Sequence, residues 1–84
     1  MFDEAHLFLS FEGLEDRKKY WVGRLVQCKS PIRINLFEKL PRNMVGVVTD
    51  IEENIRGLPY ILIVRWANGR TVPCYQCSIY SQKE

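Results

Sequence analysis

The sequence predicts a small, mostly-β domain: five short antiparallel strands bent into a barrel, with a short N-terminal helix or extension ahead of them. Three observations lead there. Runs of β-branched and aromatic residues recur through residues 20–81 and are punctuated by Gly, Pro and Asn. The dipeptide Asn68-Gly69 stands between two such runs, where a tight hairpin needs it. At 84 residues the chain has room for one core, and 46% hydrophobic with 26% charged residues is a globular composition.

The N-terminus reads in two ways. Leu7, Phe8 and Phe11 suit a helix face, with Asp3 as cap and Gly13 as stop, whereas Ala5, Leu7, Leu9 and Phe11 alternate as in a strand. Helix is the preferred reading. Asp3 and Glu4 stand where a targeting peptide would carry Lys or Arg, so no targeting segment is expected. The first strand spans Tyr20–Lys29, with Val22, Arg24, Val26 and Cys28 opposing Trp21, Gly23, Leu25 and Gln27. A connection of 14 residues follows, Ser30–Asn43, holding Pro31 and Pro41. Within it Asn35-Leu36-Phe37-Glu38 has the form of a capping box, which predicts about one helical turn over Leu36–Leu40.

Met44–Ile51 is β-branched and ends at the polar run Glu52-Glu53-Asn54, so it is the second strand. After Gly57-Leu58-Pro59 comes the third, in which Tyr60, Leu62, Val64 and Trp66 share one face. Asn68-Gly69 then predicts a type I′ turn into Arg70-Thr71-Val72. Pro73 cannot donate to a ladder, which makes this fourth strand short or places it at an edge. Cys74–Ser78 reads as a tight turn and Ile79-Tyr80-Ser81 as the last strand.

The segments Val22-Gly23-Arg24-Leu25-Val26, Gly46-Val47-Val48-Thr49-Asp50-Ile51, Val64-Arg65-Trp66-Ala67-Asn68-Gly69-Arg70 and Ser78-Ile79-Tyr80 resemble the Src-homology-3-like small barrels. They are most similar to the KOW type of translation- and transcription-associated proteins and to small uncharacterised barrels of tailed phages. The resemblance spans residues 20–81. It leaves a 1–19 N-terminal extension and the 30–43 connection outside the common pattern. Such barrels serve as RNA-binding, protein-docking and virion-joining modules, so the resemblance implies the fold more strongly than any single function. For a phage protein it implies host cytoplasm or virion.

The formal charge of +2 hides opposed blocks. Residues 1–16 carry five acids and no base, residues 17–43 carry eight bases and Glu38, and residues 44–84 carry four of each sign. The acidic block has the charge to fold back on the basic one. The basic block offers two surfaces. Arg33, Leu36, Phe37, Lys39, Leu40 and Arg42 combine an apolar centre with a cationic rim, the makeup of a contact with an acidic protein. Lys18, Lys19, Tyr20, Trp21, Arg24 and Lys29 interleave bases with aromatics, as an RNA or single-stranded DNA surface does. Both compete with the simpler reading of a solvated face, and the apolar residues of the connection with that of a cap on one open barrel end. Trp66, in phase with Val64, is expected in the core.

Cys74 and Cys77 form a C-x-x-C, but with Cys28 and His6 distant in sequence they make a weak metal site, and filling a turn is the better use for them. Three cysteines cannot all pair within one chain, which favours a reducing, cytoplasmic setting. With one His, no Gly-rich phosphate loop and no nucleophile elbow, neither catalysis nor a cofactor is expected. The longest apolar run, Tyr60–Val64, is far short of the roughly 20 residues of a membrane span.

Overall fold

The alternation read in the Tyr60–Trp66 run holds in three dimensions: Tyr60, Leu62, Val64 and Trp66 are buried while Arg65 faces solvent. The computed structural model describes residues 2–4, 13–52, 60–75 and 78–82. In chain order these form β1 (Phe2–Glu4), α1 (Leu14–Trp21), β2 (Leu25–Cys28), β3 (Ile32–Arg33), β4 (Lys39–Leu40), β5 (Val45–Glu52), β6 (Ile61–Trp66), β7 (Thr71–Cys74) and β8 (Ile79–Gln82). One antiparallel sheet has the order β1-β8-β2-β5-β6-β7, and β3 pairs with β4 as a separate hairpin. The five expected strands are β2, β5, β6, β7 and β8, contiguous in that sheet. No ladder among the described residues joins its edges β1 and β7, so the expected closed barrel is replaced by an open order.

The N-terminal half departs furthest from expectation. Phe2–Glu4 is a strand paired with Tyr80–Gln82, where a helix capped by Asp3 was expected; residues 5–12 lie outside the described residues. Gly13 precedes a helix instead of ending one, its carbonyl accepting the Arg17 N–H at 3.2 Å. Tyr20 and Trp21 therefore end α1 and do not begin a strand. The cause is local electrostatics plus one anchor. Glu15 and Asp16 occupy the first turn and Lys18 and Lys19 the last, each sign opposite to the helix dipole at that end. Trp21, fully buried, plugs the helix into the core, removing an aromatic side chain of ~150–250 Å² from water. The boundary between the acidic and basic blocks is thus in part the charge gradient of α1 itself. Gly23 then turns the chain with φ +87°, a left-handed conformation that favours glycine, and donates to the Val48 carbonyl at 2.7 Å.

β5 changes phase midway. Gly46 and Val48 are buried, but so is Ile51, an odd step that a regular strand cannot make. Thr49 supplies the extra residue: Val48 pairs with Val64 and Asp50 with Ile63, a bulge that turns Ile51 inward. Asp50 holds this irregularity. Its Oδ1 accepts the Ile51 N–H at 2.8 Å and lies 3.4 Å from Lys18 Nζ, tying α1 to the sheet. These two contacts, the backbone bond first, hold the Asp50 carboxyl below the usual aspartate range. A depressed carboxylate pKa contributes stability that is whole at neutral pH and is lost as pH falls through the folded value. Asp50→Asn keeps an acceptor and loses the charge. Its melting temperature should therefore fall less than that of the wild type between pH 5 and pH 3, as followed by circular dichroism; equal acid slopes would exclude the linkage.

The β6–β7 connection is a different turn from the one predicted. Gly69 has φ +85°, but Asn68 is not in the left-handed region, so the turn is not type I′. Trp66 C=O accepts the Gly69 N–H at 2.9 Å and its N–H donates to the Arg70 carbonyl at 2.8 Å, which is a three-residue loop with a glycine bulge. Asn68 Oδ1 accepts the Arg70 N–H at 3.0 Å and fixes the loop. β7 stands at the sheet edge, as Pro73 predicted. Ser78 N–H donates to the Tyr75 carbonyl at 3.0 Å, while the centre of the expected Cys74–Ser78 turn, residues 76–77, lies outside the described residues, as do residues 53–59.

Candidate functional site

The Ser30–Asn43 connection starts and ends on neighbouring strands: Asn43 N–H donates to the Cys28 carbonyl at 3.1 Å and Cys28 N–H to the Met44 carbonyl at 3.0 Å. Between them the chain does not make the expected helical turn over Leu36–Leu40. Pro41 disfavours the helical region for Leu40, and β-branched Ile32 and Ile34 favour extended backbone, so the segment folds into the β3–β4 hairpin. Ile32 pairs with Leu40 and Arg33 with Lys39. Asn35 performs half of the predicted capping box: its Oδ1 accepts the N–H groups of Phe37 and Glu38 at 2.8 and 2.9 Å. The Ile34 N–H then donates to the Glu38 carbonyl at 2.9 Å, closing the loop. The Glu38 side chain does not reach back to the cap. It makes a two-pronged contact with the Arg70 guanidinium, one arm at 3.1 Å from Nε.

The hairpin has a buried root and an exposed tip. Leu40 is fully buried, and Ile32 and Ile34 pack against the core around it. Leu40 is thus removed from the proposed contact surface, and these three side chains do cap the core. Leu36 and Phe37 are 81% and 94% exposed. Arg33, Lys39 and Arg42 are exposed as well, and among the described residues they form no ion pair. The structure therefore brings Arg33, Leu36, Phe37 and Lys39 together on one hairpin, with Arg42 following it. Arg33 and Lys39 face each other directly, a cross-strand arrangement in which Cβ atoms lie ~5 Å apart and like charges destabilise.

The other basic set is largely engaged within the molecule. Trp21 is fully buried and offers no face to a base, which corrects its reading as a stacking platform. The Arg24 guanidinium lies 4.0 Å from the Tyr20 ring centroid, while its Nε and Nη1 donate to the Tyr20 and Gln82 carbonyls at 3.1 and 3.2 Å. Lys18 meets Asp50, and the Lys29 ammonium sits 5.3 Å from the Tyr80 ring centroid. Lys19 is exposed. Arg17, which sequence reasoning did not single out, lies 4.3 Å over the Tyr60 ring. Burial pushes the Tyr60 phenol up, opposed by the neighbouring Trp21 indole and the Arg17 charge.

Trp66 is 2% exposed, in the core as expected. Cys28 and Cys74 are buried thiols, and burial pushes Cys28 up to about 11. Cys77 and His6 lie outside the described residues, among which no three His, Cys, Asp or Glu side chains cluster as a metal site would need. An apolar cavity of about 280 Å³ is lined by Ile32, Ile61, Pro73, Cys74, Tyr75 and Ser78. It places the root of the hairpin beside the end of β7, as the Glu38–Arg70 contact places the tip beside its start. No helix among the described residues is long and apolar enough to cross a membrane. Compared with known proteins, the chain matches no protein-family model, no curated protein and no solved structure.

Proposed function

We propose that this protein is a non-enzymatic docking module that attaches through the β3–β4 hairpin to a protein or assembly with an acidic surface. The observation that carries the reading is the pairing of Arg33 opposite Lys39 beneath a Phe37 that is 94% exposed. A hairpin with like charges opposed and its largest apolar side chain in water is suboptimal by itself; an apolar groove rimmed by carboxylates would relieve both costs. The fold family proposed for it is the Src-homology-3-like small barrel, supported by the contiguous order β8-β2-β5-β6-β7 and by the Ser78–Tyr75 backbone bond just ahead of β8. A virion or cytoplasmic assembly of a phage is the setting this reading favours. The nucleic-acid alternative has less behind it, because Trp21 is buried and the Tyr20 ring is covered by Arg24.

The test uses Phe37→Ala and Arg33→Glu. Both side chains are exposed, so stability should stay within about 0.5 kcal/mol, and Arg33→Glu also removes a like-charge pair. Each variant should lose a partner that the wild-type chain retains from nuclease-treated lysate of its source. A partner retained by Phe37→Ala, or a variant that unfolds, would refute the docking surface. Binding that survives only without nuclease and falls ~10³-fold or more between 50 and 200 mM salt would instead select the nucleic-acid reading.

A further inference from the structure

We infer that Arg70, on the far side of the chain from the connection in sequence, is the positioning residue of the docking tip. The inference rests on the docking reading above. A two-stranded hairpin is marginal on its own, and β3–β4 has two residues per strand and no ladder to the main sheet among the described residues. Ile32, Ile34 and Leu40 hold its root against the core, but nothing apolar holds the tip, where Leu36 and Phe37 are exposed. What reaches the tip is the Arg70 guanidinium, which grips the Glu38 carboxylate with Nε and Nη2. Both ends of this clamp are themselves set. Asn35 Oδ1 holds the Glu38 N–H, and Asn68 Oδ1 holds the Arg70 N–H.

The clamp has an electrostatic effect as well as a mechanical one. Glu38 is the sole acid in residues 17–43 and neighbours Lys39 in sequence. Held by Arg70, its carboxylate is neutralised away from Arg33 and Lys39, whose charges stay available to a partner. The two-pronged geometry fixes direction as well as distance, which a lysine at position 70 would not do. The tip is thereby aimed before a partner arrives, reducing the ordering cost of binding.

The experiment measures amide hydrogen exchange of Ile34 and Asn35, both donors to the Glu38 carbonyl, in the free wild-type protein, in Arg70→Gln and in the charge-swapped pair Glu38→Arg with Arg70→Glu. Arg70→Gln should speed exchange at these two amides by about 1.5- to 5-fold, the range for an exposed ion pair, with core amides of β5 and β6 unchanged. The swapped pair should restore it. Retention of the partner should fall in Arg70→Gln and recover in the swapped pair. Unchanged exchange and retention in Arg70→Gln, with loss in Phe37→Ala, would overturn the positioning role and leave the docking surface standing. Retention by Phe37→Ala would overturn both.

Discussion

Leu40→Ala should destabilise the protein by about 2–5 kcal/mol, the range for truncating a fully buried leucine. Phe37→Ala, three residues earlier in the same hairpin, should be nearly silent. The contrast follows from position alone. Leu40 is fully buried and pairs with Ile32, whose side chain and that of Ile34 pack against the same core. Removing its isobutyl group leaves a void that a short ladder and a following proline cannot close. In a domain of this size each kcal/mol shifts the melting temperature by roughly 4–8 °C, so a loss of at least about 8 °C is expected by calorimetry. A shift under about 4 °C would mean that the hairpin root contributes little to folding, and that root and tip alike belong to the surface.

The second large effect is expected at Gly46, a position with no unusual dihedral. An alanine Cβ there would stand 2.7 Å from Trp66 Cε3, 2.7 Å from Val64 Cγ1 and 2.9 Å from the Arg65 carbonyl oxygen. Gly46 is the cross-strand partner of Trp66, so the indole occupies the space a side chain would take. One methyl group must therefore displace both a buried ring and backbone of β6, an overpacking cost of about 1–3 kcal/mol. Gly46→Ala should unfold at correspondingly lower denaturant, with the near-ultraviolet signal of Trp66 altered in the folded state. Wild-type stability in this variant would show that β5 and β6 separate more readily than their register implies.

The sequence made the strands legible where burial follows a period of two and little else intervenes, as in β6. It misled where a local signal has two structural uses. Asn35 announced a turn whose backbone partners are those of a helix cap; the chain reversed instead, because Pro41 constrains Leu40 and Ile32 needs a strand partner. Leu40 shared a short apolar run with Leu36 and Phe37, and spacing alone does not distinguish root from tip. Trp21 reads as part of a strand with its neighbours, although Glu15, Asp16, Lys18 and Lys19 have the charge order of a short helix. The bulge at Thr49 was present as an odd spacing between Val48 and Ile51. The Glu38–Arg70 contact, 32 residues apart, left no trace in pattern or composition, since only the folded chain brings the two side chains together.

Pro73 has a consequence for how such a molecule joins others. The Trp66 bond to Arg70 sets the alternation of the β6–β7 ladder, making Val64–Val72 and Leu62–Cys74 its bonded pairs and turning the backbone of Pro73 outward. The outward position in the middle of β7 thus has no N–H to offer, and an incoming strand would find a missing rung. Along this border, strand addition is weakened by the missing donor at Pro73, and in the docking proposed above contact is made instead by side chains on the adjoining hairpin. Backbone pairing accepts almost any sequence; side-chain contact is selective and can be altered one residue at a time. At the β7 edge, then, a single residue without an N–H disfavours joining by strand addition, the route that selects no sequence.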